Sequence, residues 1–222
     1  KICLDLHGND LTTKSGARAF TVYSGATLNI MDTTATGKGT EYVSGKMIAN
    51  GYVGNGGNIY NSGKLNIYGG TFIGTNVTSD YRGGNIYNSG SSAVTTIYDG
   101  IITGGAGGRG GNINVASGVV NLRGGVVSNG KSTSRGGNVF MSDGTFNMYG
   151  GLIIGDTTTD SSIQKDEYSN GIVATGASVN IYGGTINSNK AVPAVFLLYS
   201  NLNVYGGRLL AGSENVIETY CS

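Results

Sequence analysis

Short stretches in which apolar and polar residues alternate recur along the whole chain. One phrase, Gly-Gly-Asn followed by an aliphatic residue, occurs in copies that begin at Gly56, Gly83, Gly110 and Gly136. These copies are spaced 27, 27 and 26 residues apart, and alternation with a period of two is typical of β-strands. Less regular copies begin near Arg18, Asn170 and Ala194. The pattern therefore indicates a chain built from one repeated unit.

Each repeat contains three short apolar stretches. The Gly-Gly-Asn phrase is the first, and the second ends in Tyr-Gly-Gly in its clearest copies, at residues 65–70, 146–151, 179–184 and 202–207. The third is a brief apolar run such as residues 72–73 or 152–154. Three strands in a repeat of about 26 residues form one turn of a parallel β-helix, whereas a propeller blade needs about 40 residues or more.

The sequence thus predicts an all-β, single-domain right-handed parallel β-helix, or solenoid, with three short strands per turn. We expect about seven to eight turns, no helix of substance, and parallel rather than antiparallel strands. The predicted turns begin near residues 18, 56, 83, 110, 136, 170 and 194.

The alternation also predicts which side chains point outward. In residues 65–68, Leu65 and Ile67 must face the interior, which sends Asn66 and Tyr68 outward. The register is strongly specified, because a slip by one residue would bury the polar set. Applied to every turn, this gives an outer column of Asn29, Asn66, Thr96, Asn121, Asn147, Asn180 and Asn203. A second outer column beside it holds Met31, Tyr68, Tyr98, Arg123, Tyr149, Tyr182 and Tyr205.

Composition and charge narrow the picture further. The 222 residues contain 41 glycines and one proline without a break in composition, which indicates one domain over residues 1–222. The formal net charge of +1 gives no electrostatic case for nucleic acid or an anionic membrane. No apolar run reaches the roughly 18 residues that membrane insertion requires. The chain opens in mid-pattern at residues 1–6, so we expect it to be a piece of a longer protein.

The two cysteines, Cys3 and Cys221, lie at opposite ends of the repeat array. About seven stacked turns at roughly 4.8 Å each would separate them by on the order of 30 Å, which is too far for a disulfide bond. We expect two unpaired thiols, or thiols whose partners lie on flanking segments.

The phrases Gly-Gly-Asn-Ile-Tyr and Asn-Ile-Tyr-Gly-Gly carry a family resemblance. The chain resembles the pectate-lyase-like right-handed β-helices. Within them it is most similar to the glycine-rich repeats of very large surface proteins of Gram-positive gut bacteria and of autotransporter passenger domains. The opening residues 4–9 resemble the Leu-Asp-Leu-Asn-Gly start of such domains, with His7 where asparagine is usual. The resemblance covers nearly the whole chain and implies a bacterial protein that is secreted or exposed at the cell surface.

Residues that could carry catalysis are scattered. Enzymes on this fold, as the resemblance implies, use clustered carboxylates, often around Ca²⁺, to act on acidic polysaccharides. Here the carboxylates of Asp32, Glu41, Asp99 and Asp143 fall in different columns or at turns. The acidic stretch 156–168 is interpreted as a solvated loop, with a Ca²⁺ or catalytic role as the alternative.

Other motifs also argue against catalysis. His7 is the only histidine, which removes most Ser/His, Cys/His and zinc arrangements. Residues 105–110 match a dinucleotide-binding fingerprint but lack its strand–helix context, so they are interpreted as a glycine-rich turn. The sequence therefore predicts no catalytic residue, no metal site and no cofactor.

Two aligned sets of side chains remain as candidate binding residues. Arg82, Arg109 and Arg135 each precede a Gly-Gly-Asn phrase and should stack at roughly 5 Å spacing, as solvated edge positions or as a site for an acidic ligand. The tyrosine column either stabilises the solenoid or offers a strip for flat contact with a sugar chain or a protein. The candidate ligand-binding residues are Tyr68, Tyr98, Arg123, Tyr149, Tyr182, Arg82, Arg109 and Arg135. Segments 75–82, 104–109, 128–135 and 155–169 are predicted to be variable loops that also bind.

The function expected from these features is non-enzymatic: an adhesin-like or stalk-like module of a bacterial cell surface. It would present its loops and a Tyr/Asn face to a host glycoprotein, an immunoglobulin-type or other host protein, or a polysaccharide. The alternative is a polysaccharide lyase or glycoside hydrolase that acts on an acidic polysaccharide. Ice binding needs a regular threonine array, which the position after the glycines that end the second stretch does not provide: Thr71, Ile101, Val126, Leu152, Thr185, Arg208.

Overall fold

The chain forms a parallel β-solenoid of about eight turns in the computed structural model, which describes residues 1–75, 81–155, 171–189, 192–212 and 215–220. The regular structure of the described residues consists of 26 strands, numbered β1 to β26 in chain order, and a single 3₁₀ turn at Gly39–Glu41. All pairings between these strands are parallel, because each strand pairs with the equivalent strand one turn away. The prediction of an all-β solenoid with three strands per turn is confirmed.

Three sheets of eight strands run along the solenoid. The first sheet contains β1 (Ile2–Asp5), β4 (Thr27–Met31), β7 (Lys64–Ile67), β10 (Val94–Ile97), β14 (Val119–Leu122), β18 (Thr145–Met148), β21 (Ser178–Ile181) and β24 (Asn201–Val204). The second contains β2 (Leu11–Thr12), β5 (Lys46–Ile48), β8 (Thr71–Ile73), β11 (Ile101–Thr103), β15 (Val126–Ser128), β19 (Leu152–Ile154), β22 (Thr185–Asn187) and β25 (Arg208–Leu210). The third contains β3 (Phe20–Val22), β6 (Ile59–Asn61), β9 (Ile86–Asn88), β13 (Ile113–Val115), β17 (Val139–Met141), β20 (Ile172–Thr175), β23 (Val195–Leu198) and β26 (Ile217–Tyr220).

The interior is a continuous column of apolar side chains from all three sheets. Leu65 and Ile67 have no exposed surface, and Phe72 and Ile59 from the other two sheets join them in one cluster. Tyr68, at the next outward position, is 45% exposed. The predicted inward and outward register is therefore correct. Each large aliphatic side chain buried in this way stabilises the fold by about 1.5–3 kcal/mol.

The Gly-Gly-Asn phrases place a ladder of buried asparagines at one corner of the solenoid. Nδ2 of Asn58 donates to Oδ1 of Asn85 at 2.7 Å, Asn85 donates to Asn112 at 2.9 Å, and Asn112 donates to Asn138 at 2.8 Å. All four side chains are fully buried, so each amide replaces its lost water with a bond to the next turn. The ladder therefore joins consecutive turns by side-chain hydrogen bonds, in addition to the backbone hydrogen bonds between their strands.

The glycines before these asparagines are required by the backbone. Gly110, for example, has a φ of 60°, and a Cβ there would lie 2.3 Å from the carbonyl oxygen of Ile113. Only glycine adopts this left-handed conformation without strain and allows so close an approach. The recurring glycine is therefore the residue that lets the chain turn into the third sheet.

Two segments predicted as loops form strands, which corrects that interpretation. Segment 104–109 contains β12 (Ala106–Arg109) and segment 128–135 contains β16 (Lys131–Arg135), and these pair in parallel as a small fourth sheet. Their backbone groups bond from turn to turn, although glycine-rich sequence such as that of β12 has low β-propensity. The other two predicted loops lie mostly outside the described residues, over 76–80 and 156–170.

Two further observations concern the two cysteines and possible membrane-spanning helices. Cys3 is a free, exposed cysteine, and Cys221 lies outside the described residues. The described ranges contain no helix of the length and hydropathy needed to cross a membrane.

Candidate functional site

The tyrosine column forms a stack along one edge of the first sheet. Tyr68 and Tyr98 lie with ring centroids 4.6 Å apart, and Tyr149, Tyr182 and Tyr205 follow at 4.9 Å, all with planes 6° apart. Each of these tyrosines directly follows a strand of the first sheet, so the parallel register places the rings one above another. The column that the sequence predicted is thus observed as a stack of aromatic rings.

Arg123 occupies the single break in this stack. Its guanidinium carbon lies 4.6 Å from the ring centroid of Tyr149 and 5.9 Å from that of Tyr98. A guanidinium between two aromatic faces is held by cation–π attraction, so Arg123 continues the column instead of interrupting it. The candidate residues Tyr68, Tyr98, Arg123, Tyr149 and Tyr182 therefore form one surface, which we call the tyrosine face.

The stacking decides which atoms the tyrosine face presents. Tyr68, Tyr98, Tyr149 and Tyr182 are between 41% and 45% exposed, but both flat faces of Tyr98, Tyr149 and Tyr182, and the face of Tyr68 toward Tyr98, are covered by neighbouring residues of the stack. A ligand that lies along the column therefore meets ring edges and hydroxyl groups. These groups recognise polar partners through hydrogen bonds.

The outer asparagine column beside the tyrosine face is a second ladder. Nδ2 of Asn66 donates to Oδ1 of Asn29 at 2.8 Å, and Asn180 donates to Asn147 at 2.9 Å. Asn29 and Asn66 are only 6% exposed although they lie on the outer face. Much of the hydrogen-bonding capacity of these amides is therefore used between turns. The asparagine column stabilises the sheet beside the tyrosine face and offers few free groups to a ligand.

The three candidate arginines are aligned by the fourth sheet. Arg82 forms a parallel bridge with Arg109, and Arg109 is in register with Arg135. Burial, and in addition the neighbouring charges of Arg82 and Arg135, lower the pKa of Arg109, because both disfavour the charged form of its guanidinium. No described carboxylate pairs with Arg82 or with Arg109. We call Arg82, Arg109 and Arg135 the arginine column.

The five described aspartates accept hydrogen bonds from the backbone. Oδ1 of Asp32 accepts hydrogen bonds from the backbone N–H of Thr34 and Gly8, and Oδ2 accepts one from the N–H of Gly45. Burial alone would raise the pKa of Asp32, but the hydrogen bonds from Thr34, Gly45 and Gly8 outweigh it and lower the pKa. Backbone N–H groups are held in the same way by Asp5, Asp10, Asp99 and Asp143.

A groove that the sequence did not reveal lies on the outer face of the second sheet. It has a volume of about 520 Å³; its floor includes Thr71, Ile101 and Val126, and its wall includes Tyr42. Burial, with the charges of Asp99 and Asp32 in addition, raises the pKa of Tyr42, whose hydroxyl accepts a hydrogen bond from the backbone N–H of Gly70. Among its described lining residues, Lys46 is the one that is charged at neutral pH.

The sequence feature that points to this groove is the length of one connection between a first-sheet strand and a second-sheet strand. Fourteen residues, 32–45, separate the first-sheet and second-sheet strands of that repeat, whereas three residues, 68–70, separate them in the next. The longer segment closes on itself through an antiparallel bridge between Thr36 and Val43 and stands beside the second sheet. Sequence alone does not reveal against which sheet such an insertion packs.

The sequence also suggested an acidic stretch that could bind Ca²⁺ or carry catalysis. The acidic stretch 156–168 falls outside the described residues. Within the described ranges, no group of three or more histidine, cysteine, aspartate or glutamate side chains is placed to hold a metal ion.

Comparisons of the chain with protein-family models, with curated proteins and with solved structures gave no match.

Proposed function

We propose that this chain is a non-enzymatic, adhesin-like or stalk-like module of a bacterial protein that is secreted or displayed at the cell surface. Its role is to present the tyrosine face and the neighbouring segments to a host protein, a host glycoprotein or a polysaccharide. The observation that carries the proposal is the column from Tyr68 to Tyr205, in which Arg123 bridges the break between Tyr98 and Tyr149 and every tyrosine is more than two-fifths exposed.

The rigidity of the tyrosine face supports a role in recognition. The rings of Tyr98, Tyr149 and Tyr182 are each held between two neighbours, and each follows a strand that is paired on both sides, so little conformational freedom remains to be lost on binding. The hydroxyl groups repeat with the spacing of the strands, about 4.8 Å. A long ligand with regularly spaced polar groups can therefore bond to several turns at once.

The hydrogen bonds of Asp32 and Asp5 support a non-enzymatic role for these two carboxylates. A general acid or base needs an oxygen that is free to reach the substrate. In Asp32 both oxygens accept hydrogen bonds from the backbone, and both oxygens of Asp5 bond to Thr33. These residues are explained by the stability of their turns.

The proposal is tested by screening the protein against an array of host glycoproteins, host proteins and polysaccharides. The decisive variant combines Tyr68→Phe, Tyr98→Phe, Tyr149→Phe and Tyr182→Phe, which keeps the rings stacked and removes the hydroxyl groups. A matched control combines Tyr23→Phe and Tyr199→Phe, since these tyrosines are 72% and 65% exposed and lie outside the stack.

We expect the wild type and the control to bind the same array members and the fourfold variant to lose affinity by on the order of tenfold or more. An array without any bound member would contradict the binding function. A ligand bound equally well by all three proteins would contradict the role of the tyrosine face.

A further inference from the structure

The groove on the outer face of the second sheet crosses several turns of the solenoid. Its lining begins at Lys46 in β5, continues over Thr71, Ile101 and Val126, and ends at Ile154 in β19. These residues lie on five consecutive strands of the sheet. Neighbouring strands are about 4.8 Å apart, so the groove has a length of roughly 19 Å. A groove of this shape suits an extended ligand better than a compact one.

The polar side chains that line the groove are largely bonded to one another. Oγ of Ser44 lies 2.8 Å from Oγ1 of Thr71. Further along the groove, Oγ of Ser128 donates to Oγ1 of Thr103 at 3.2 Å. A sugar or a peptide brings many groups that need hydrogen bonds, and a group left unpaired on binding is costly. The lining therefore favours a ligand with a hydrocarbon body.

The backbone under the groove is also engaged. The strands β8, β11 and β15 each pair with a strand on either side, so their N–H and C=O groups are used within the sheet. Peptides that bind to sheets usually add a strand to an unpaired edge, whereas this groove lies over a face. Ile101, Val126 and Ile154 present aliphatic surface to a ligand there.

Lys46 places a positive charge at one end of the groove. The residue is exposed, and no described carboxylate pairs with its ammonium group. Asp10, on the preceding turn, accepts a hydrogen bond from the backbone N–H of Lys46 instead. An apolar groove whose described lining carries one cation, at its end, is complementary to an apolar chain that carries one anion at its end.

We infer that this groove binds one free long-chain fatty acid, with the carboxylate at Lys46 and the acyl chain lying over Ile101 and Val126 towards Ile154. An extended chain of roughly 14–16 carbon atoms, with C–C bonds of about 1.5 Å, spans the length of the groove. The volume of about 520 Å³ lies within the range of about 300–1,000 Å³ that is usual for small-molecule sites. The described lining contains no residue of the tyrosine face, so the inference goes beyond the proposed function and does not depend on it.

The experiment is titration calorimetry with decanoate, laurate, myristate and palmitate, each below the concentration at which it forms micelles. At about pH 8 both the carboxylate and the lysine ammonium group are charged. We expect myristate and palmitate to bind, and the affinity to rise by up to about fourfold for each methylene added between decanoate and myristate. Myristyltrimethylammonium has a chain of similar length and the opposite charge, and it should bind at least about tenfold more weakly than myristate.

Two variants and two matched controls locate the site. Lys46→Gln should weaken myristate binding by on the order of tenfold, whereas Lys64→Gln removes the same charge from an exposed position on the first sheet and should bind like the wild type. Ile101→Gln should also weaken binding by on the order of tenfold, because it places an amide under the acyl chain. Ile73→Gln makes the same change on the second sheet outside the described lining and should leave binding unchanged. If urea unfolding shows that Ile101→Gln does not fold, Lys46→Gln still decides.

Any of four results would overturn the inference. No fatty acid binds, or myristate binds Lys46→Gln and Ile101→Gln as tightly as it binds the wild type. Myristyltrimethylammonium binds as tightly as myristate, which would exclude recognition by charge. Sedimentation without ligand shows that the wild type forms a dimer and that Ile101→Gln does not, in which case a second copy of the chain covers the groove.

The test separates this inference from the proposed function. The fourfold tyrosine variant should bind myristate like the wild type, and a loss of binding in that variant would place the site elsewhere and overturn the inference. If no fatty acid binds while an array member binds through the tyrosine face, the proposed function stands alone. If myristate binds and no array member does, the groove site stands and the proposed function fails.

Discussion

Asn85 donates a hydrogen bond from Nδ2 to Oδ1 of Asn112 at 2.9 Å, although 27 residues of chain separate the two. The same relationship recurs between Asn58 and Asn85 and between Asn112 and Asn138. At the beginning of the ladder the amide oxygen of Asn58 has no partner. Phe20 pairs with Ile59 there, which places an alanine where the preceding asparagine would be. Asparagines that recur at the repeat spacing in the sequence are thus joined by hydrogen bonds in the fold.

Asn112→Leu tests the strength of this ladder. Asn112 donates to Ser128 and Asn138 and accepts from Asn85 and Gly105. Its replacement leaves several buried groups unpaired, so we expect the free energy of unfolding to fall by about 3 kcal/mol or more. Urea denaturation measures the loss.

The control for this variant is Asn203→Leu. Asn203 is exposed and donates one hydrogen bond, to Asn180 in the outer ladder. Its replacement should cost less than about 1 kcal/mol. Equal losses at positions 112 and 203 would show that the buried ladder is not a special source of stability.

The inward and outward faces of the first sheet predict opposite sensitivities. Ile67→Ala removes a side chain with no exposed surface from the interior and should cost about 2–5 kcal/mol. Tyr68→Ala removes a half-exposed ring with one stacking partner, Tyr98, and should cost about 1 kcal/mol. Chemical denaturation compares the two. A larger loss for Tyr68→Ala would contradict the account of the core.

Arg123→Tyr should complete the aromatic stack. The new ring would lie between Tyr98 and Tyr149 and exchange two cation–π contacts for two ring contacts, each worth about 0.5–1.5 kcal/mol. We expect the free energy of unfolding to stay the same or rise by about 1 kcal/mol, and Arg123→Ala to lower it. Thermal unfolding of the three proteins measures the order. A variant with Tyr at 123 that is less stable than the one with Ala would contradict the continuity of the column.

The hydrogen bonds to Asp32 predict how stability depends on pH. Its pKa is lowered in the folded state from an ordinary value of 3.8. A lowered pKa means that the stabilisation is fully present above the unfolded-state value and is lost as the pH falls through the folded-state value. Asp32→Asn should therefore be less stable than the wild type at pH values near neutrality.

The measurement is urea unfolding of both proteins between about pH 7 and about pH 3. The difference between wild type and Asp32→Asn should shrink in the acid range, below about pH 4. Asp5, whose pKa is also lowered, above all by hydrogen bonds from Thr33, is present in both proteins and leaves the difference unchanged. A difference that stays constant with pH would contradict the role of the ionised carboxylate.

The fold was predictable because two independent periods agree. The 27-residue spacing of Gly56 and Gly83 indicates a solenoid, and the alternation in residues 65–68 fixes which side chains face inward. The fourth sheet was not predictable. Its strand Ala106–Arg109 consists of small residues and an arginine, and it is a strand only because Lys131–Arg135 lies alongside it on the next turn.

The sequence predicted which candidate residues are aligned in columns, but it did not predict how their side chains pack or which of them are covered. Register alone aligns Tyr68 with Tyr98 and Arg82 with Arg109, as observed. Register does not show that the rings stack face to face, since this depends on side-chain rotation. It also does not show that Asn114 is buried without a partner, because that depends on which side chains cover the outer face.

The central claim is that this solenoid binds its ligand without converting it, and a turnover assay on acidic polysaccharides tests it most directly. Pectin, polygalacturonate and alginate are incubated with the protein, with and without Ca²⁺, and unsaturated ends and reducing ends are measured over time. The account predicts no release of either above a protein-free control, including for any polysaccharide that binds in the array screen. Release of new ends that is abolished by Asp156→Ala or Asp166→Ala would contradict it and establish a polysaccharide lyase or hydrolase instead.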